Sequence, residues 1–192
     1  PDFVITFNGA CSGASAPDHF HFQAMPQTAL PAVRELPEWK NRTDLDTQAD
    51  CTVWAADAYL RPALVVESPN TEKANRTAEW LLECLKAITG EPDEAQVNVL
   101  AWKSGDLHRI VFFPRTAHRP RQFFAEGEDQ FLFSPGAVDM AGVMITVREN
   151  DYRRVSAPLI TDLFSQVVPA TALWERIKKE ISVCLTRNPK SV

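Results

Sequence analysis

Hydrophobic and polar positions alternate near the start of the chain. Phe3-Val4-Ile5-Thr6-Phe7 is a β-branched and aromatic run that predicts a strand. A stretch of small residues follows from Asn8 to Pro17, and alternation then resumes in Asp18-His19-Phe20-His21-Phe22-Gln23. Strand side chains point to opposite faces in turn, so Phe20, Phe22 and Ala24 share one face and His19, His21 and Gln23 the other. The apolar face is expected to pack on a core.

Further along, Pro26, Pro31 and Pro37 break the chain into short pieces, with a short helix expected around Ala32–Glu35 and polar loop over residues 41–50. Cys51 to Val66 reads as β structure interrupted at Arg61-Pro62. Ser68 as N-cap and Pro69 open an amphipathic helix carrying Ala74, Ala78, Leu81, Leu85 and Ile88, which Gly90 ends. Gln96–Trp102 and Leu107–Phe113 predict a hairpin turning at Ser104-Gly105-Asp106. Residues 136–147 read as a glycine-bounded turn entering a buried strand. Two helices close the chain, one from Ser156 to Val167 and one from about Thr171 to Leu185, before a frayed tail at Asn188–Val192.

Composition narrows the class. The chain has 192 residues, 45% hydrophobic and 23% charged, which suits one substantial globular domain. A net charge of −5 argues against a dedicated nucleic-acid binder and leaves room for a nucleotide site, which needs only local donors. No apolar run is long enough for a transmembrane helix, so no membrane partner is expected. Cys11, Cys51, Cys84 and Cys184 are far apart without a C-x-x-C pair, which predicts reduced thiols and a cytoplasmic location.

The chemistry concentrates where histidine does. Two of the four histidines stand one residue apart on one strand face, with Gln23 beside them. Burying two imidazoles and an amide for packing alone is costly, because each ring nitrogen and amide needs a partner. Ahead of them, the small residues of Asn8-Gly9-Ala10-Cys11-Ser12-Gly13-Ala14-Ser15 let backbone N–H groups approach an anion, and Ser12 and Ser15 add hydroxyls. Farther on, Arg115, His118, Arg119 and Arg121 form a basic loop that can hold phosphate through planar guanidinium forks or simply be solvated.

Asn8, Ser12-Gly13-Ala14-Ser15 and His19-x-His21-x-Gln23 resemble the active-site segment of the galactose-1-phosphate uridylyltransferase branch of the histidine-triad superfamily. Glutamine replaces the third triad histidine in that branch, and the form His-Phe-His-Phe-Gln-Ala is most similar to the GDP-hexose phosphorylases, with diadenosine tetraphosphate phosphorylases further away. Phe113-Pro114-Arg115, and Asp139-x-x-Gly142 followed by Asp151-Tyr152, add two looser points of similarity. The spacing between Ser15 and His19 is one residue longer than in the uridylyltransferases.

The resemblance implies an α+β, histidine-triad-like fold, an antiparallel sheet with flanking helices, here as the C-terminal portion of a larger chain. Residues 1–30 would end the catalytic half and residues 31–192 would pack on it. It implies His21 as nucleophile on the α-phosphorus of a nucleoside diphosphate sugar or dinucleotide, His19 as an orienting residue, and Gln23 as donor to a phosphoryl oxygen. Asn8, Ser12, Gly13, Ser15, Arg115 and Arg119 would bind phosphate or nucleotide. Inorganic phosphate or a sugar phosphate is the expected acceptor, no cofactor or metal is expected, and homodimerisation is compatible with the pattern. Three other readings stay open: a catalytically silent nucleotide-binding module, a His-x-His metal site completed by a further ligand such as His108 or His118, and purely structural histidines.

Overall fold

The computed structural model describes residues 2–15, 18–48 and 50–186. The expected frayed tail at 188–192 lies outside them. Among the described residues there are seven strands: β1 (Phe3–Asn8), β2 (Phe22–Pro26), β3 (Arg42–Gln48), β4 (Cys51–Ala56), β5 (Ala63–Ser68), β6 (Val97–Ser104) and β7 (Leu107–Pro114). They form one antiparallel sheet in the order β2-β1-β6-β7-β5-β4-β3. Among the described residues six α-helices flank it: α1 (Pro31–Glu35), α2 (Thr71–Thr89), α3 (Ala137–Met140), α4 (Glu149–Arg154), α5 (Ala157–Ser165) and α6 (Thr171–Thr186). The expected α+β architecture, an antiparallel sheet with flanking helices, is therefore present.

Two cores sandwich the sheet. On one face, α2 and α6 pack Leu81, Leu85, Ile177 and Ile181 against Val53, Leu64, Val66 and Phe112. On the other, Val4, Trp54, Leu100 and Phe113 meet Phe131, Phe133, Met140 and Phe164 from the connecting segments. Asn70, not Ser68, caps α2, its side chain accepting from the Lys73 N–H. Ser68 ends β5 and accepts from the Asn70 N–H instead.

Three expectations need correction. Residues 42–48 form an edge strand instead of a loop. Only Leu45 of that strand is buried, so the hydrophobic alternation that would announce it is nearly absent. Residues 143–147 form no strand. They run extended after α3, with Ile145 and Val147 exposed. The histidine strand starts only at Phe22, and its faces are reversed relative to expectation. Gln23 and Met25 lie opposite Thr6 and Val4, on a face where both partners are buried. Phe22 and Ala24 lie opposite Phe7 and Ile5, on the side where the core under α2 and α6 draws its strand residues from β3 to β7 and none from β1 or β2. Phe20 and Phe22 are consequently 74% and 60% exposed.

Cys84 on α2 and Cys184 on α6 are joined in a disulfide, whereas Cys11 and Cys51 are free, so the expectation of reduced thiols fails for this pair. The bridge closes a sequence separation of 100 residues and ties α6 to α2. In the chain-entropy account such a bridge restricts the unfolded chain. Cys184→Ser is expected to lower stability by about 2–4 kcal/mol, read from urea denaturation with and without reductant.

Candidate active site

The small-residue loop leaves β1 at Asn8 and folds back on itself. Four of its N–H groups are used internally. Gly9 donates to Val97 O (3.0 Å), Ala10 to Glu94 Oε1 (2.5 Å), Ser12 to Gly9 O (2.9 Å) and Gly13 to His118 Nδ1 (3.1 Å). Gly13 has φ +82°, and a Cβ there would lie 1.9 Å from Pro135 O, so only glycine fits. Ser12 is fully buried beneath the loop, which removes its hydroxyl from any ligand. The expected phosphate role of Ser12 therefore does not hold, whereas Gly13 and Ser15 both line a cleft.

Arg115 also turns inward. It is 2% exposed, and all five of its donor hydrogens are directed at protein acceptors. Nε donates to Val167 O, Nη1 to Asn98 Oδ1 and Pro135 O, and Nη2 to Ala117 O and His118 O, at 2.6–3.2 Å. A guanidinium with no free donor cannot grip a phosphate, so its expected binding role is corrected to one behind the site. Burial pushes its pKa down to about 10, which leaves it protonated at neutral pH. Asn98 passes the contact on. Its Nδ2 donates to Asn8 Oδ1 (2.8 Å) and Ser12 O (2.6 Å). Asn8 Oδ1 also accepts from the Ala137 N–H (2.6 Å), which fixes the start of α3 against β1.

These supports frame a cleft of about 520 Å³, within the range of small-molecule sites. Asn8, Gly13, Ser15, Gln23 and Arg119 all line it, together with Ser134, Asp139, Phe123, Ile145 and Val147. Arg119 donates through Nε to Ser134 Oγ (2.9 Å), and its guanidinium lies 4.2 Å from the Phe123 ring centroid. Among the described residues its two terminal amino groups have no protein partner. Gln23 Oε1 accepts from Thr6 Oγ1 at 3.4 Å, an assignment that leaves the amide N–H₂ for a ligand.

Asp139 brings negative charge to the same cleft. Burial pushes its pKa up to about 6, against the pull of the Ile145 and Gly136 N–H groups, which donate to its carboxylate at 2.9 Å, and of Arg115. An ionised carboxylate there repels phosphate and accepts from hydroxyl donors.

His19 and His21 lie just ahead of β2, outside the residues lining the cleft. Their rings stack at 5.8 Å between centroids. His21 Nδ1 is 2.7 Å from His19 O. A carbonyl can only accept, so Nδ1 carries a proton, and in the neutral ring the lone pair falls on Nε2. The His21 ring thus contacts His19 twice, by a hydrogen bond to its backbone and by stacking on its ring.

The sequence gives Asn98 no site role, Asp139 only a place in a loose point of similarity, and His118 a place in the basic loop and among possible metal ligands. Asn98 and Asp139 did leave a trace in the sequence, as isolated polar residues within apolar runs. Burial, followed by the neighbouring Arg119, depresses the His118 pKa, against a contact with the Cys11 backbone. A depressed histidine pKa favours the neutral ring above its ordinary value and loses that contribution as pH falls through the depressed one. The Gly13–His118 bond is therefore expected to hold above about pH 6.5 and to break in acid. The His118 ring nitrogen signals, followed by NMR across pH 4–8, read this directly.

The protein is an antiparallel α+β fold whose cleft, beside the β2 edge of the sheet, brings together the Arg119 guanidinium and the Asp139 carboxyl. The family model for the GDPGP1-like C-terminal domain matches residues 37–187, and the chain belongs to that family. A second model, a domain of unknown function termed DUF4922, matches residues 1–26, the stretch that holds His19, His21 and Gln23. The crystal structure of a DUF4931 family protein from Bacillus cereus ATCC 10987 is similar in fold, with a TM-score of 0.50 at 10% identity, covering 96% of this chain and 69% of that one. No curated protein is similar enough to count as a match. Among the described residues, no three His, Cys, Asp or Glu side chains are placed to hold a metal ion, and no helix is long and apolar enough to cross a membrane.

Proposed function

We propose that this chain carries the nucleotidyl-transfer site of a GDP-hexose phosphorylase-type enzyme of the histidine-triad kind, working through a covalent intermediate on His21. The observation that carries this reading is the Nδ1 contact to His19 O, which in the neutral ring places the lone pair on Nε2. Nε2 attacks the α-phosphorus of a nucleoside diphosphate sugar, and the bond from that phosphorus to the bridging oxygen breaks. Hexose 1-phosphate leaves, and the nucleotidyl group stays on His21. Inorganic phosphate then attacks the same phosphorus, releasing nucleoside diphosphate and restoring the imidazole.

Gln23 donates its amide to a non-bridging oxygen, where charge develops during transfer. Arg119 and Ser15 hold the remaining phosphate, Gly13 shapes the loop beside them, and Asp139 accepts from sugar hydroxyls. Membership of the GDPGP1-like family supports the substrate class. An amide in the third position cannot relay protons to water, so phosphate should outcompete water as acceptor. The exclusion of His21 from the cleft lining favours the second reading, a silent nucleotide-binding module.

The two readings separate on product analysis of the protein with GDP-hexose, with and without inorganic phosphate. The transfer reading expects GDP and hexose 1-phosphate to form in proportion to phosphate, with hydrolysis to GMP much slower. Binding of GDP-hexose without either product supports the silent module, and hydrolysis as fast as phosphorolysis contradicts the role given to Gln23.

A further inference from the structure

Three hydrogen-bonded arms leave the Arg115 guanidinium and converge on one peptide unit. The first runs from Nη1 to Asn98 Oδ1 (2.6 Å), and from Asn98 Nδ2 to Ser12 O (2.6 Å). The second runs from Nη1 to Pro135 O (2.7 Å), the atom packed where a Gly13 Cβ would stand. The third runs from Nη2 to His118 O (3.2 Å), and the His118 ring accepts the Gly13 N–H (3.1 Å). The Ser12–Gly13 peptide is thus fixed at its carbonyl, its N–H and its Cα. Among the described residues no carboxylate is hydrogen-bonded to Arg115, though Asp139 interacts with its charge, and its five acceptors are four backbone carbonyls among residues 117–167 and one side-chain amide.

Burying a cation on neutral acceptors is an expensive way to stabilise a fold, and well-packed apolar residues often serve better. What only a planar fork of five donors supplies is simultaneous reach to three separate segments. We propose that Arg115 is a positioning residue for phosphate binding. It sets the Ser12–Gly13 conformation through Asn98, Pro135 and His118, and with it the course of the loop that brings Ser15 to the cleft, without touching the ligand. This rests on reading the cleft as a nucleotide-sugar site.

Lysine keeps the charge and loses the fork. The test is a double-mutant cycle of GDP affinity by calorimetry at pH 7.5, on the wild-type chain, Arg115→Lys, His118→Asn and the double variant. Thermal melts run alongside. Each single variant is expected to weaken GDP binding at least about tenfold. The double variant is expected to be no weaker than Arg115→Lys alone, because both changes act through Gly13. A merely structural Arg115 would lower the melting temperature and give additive losses or none, and either pattern overturns the proposal. Should Arg115→Lys not fold, Asn98→Ser, which cuts the first arm, takes its place in the cycle under the same expectation. Wild-type protein that binds no GDP overturns the functional reading and this proposal with it. Wild-type binding with unchanged single variants overturns the Arg115 assignment alone.

Discussion

Replacing His21 with alanine is expected to cut phosphorolysis of GDP-hexose by at least about 1000-fold while leaving GDP affinity within a few-fold of wild type. The split follows from geometry. His21 lies outside the residues that line the cleft, so its loss removes few binding contacts. Nε2 is the only group in this constellation assigned to bond to phosphorus, and no other imidazole occupies its place. His19 presents a carbonyl to His21, and its ring is exposed. His19→Ala keeps that carbonyl and is expected to cost far less than His21→Ala. Steady-state rates of the two variants beside their GDP affinities check both statements. Equal losses for the two would transfer the orienting role to the His19 ring.

Gly13→Ala is the second large effect. A non-glycine residue at φ +82° costs roughly 1–2 kcal/mol. Its Cβ would also stand 1.9 Å from Pro135 O, so the loop and the 134–136 segment must part, at about 1–3 kcal/mol for a forced shift in packed surroundings. The sum, about 2–5 kcal/mol, is expected in denaturant unfolding. Because the displaced segments carry Ser15, Ser134 and Asp139 into the cleft, GDP binding is expected to fall below detection in protein that still folds. Retained affinity would mean that the loop takes no part in phosphate binding.

These effects mark where sequence and structure part company. The β6–β7 hairpin, α2 and α6 were legible because each carries a full period of apolar residues bounded by turn or capping signals. β3 was not, since an edge strand with one buried side chain has no alternation to show. Phe20 and Phe22 alternate with the histidines as read, yet alternation tells only which residues share a face. Which face the helices cover depends on where α2 and α6 end up.

Ile145 and Val147 read as a buried strand and instead line the cleft, held there by the Ile145 N–H on Asp139. A local rule broken at a candidate site is where function is expected to override packing. Of the candidate ligand contacts, Asn8, Gly13, Ser15, Gln23 and Arg119 do come together at the cleft. The inward turn of Arg115 was beyond reach, because its acceptors come from positions 98 to 167. Only the folded chain brings them to one point.

The covalent intermediate is tested most directly by intact mass. The wild-type protein is incubated with GDP-hexose in the absence of phosphate and quenched, beside His21→Ala. A gain of one nucleotidyl group in the wild type, absent from the variant and discharged when phosphate is added, is the predicted result. An unmodified wild-type mass under conditions where GDP-hexose is bound would contradict transfer through His21.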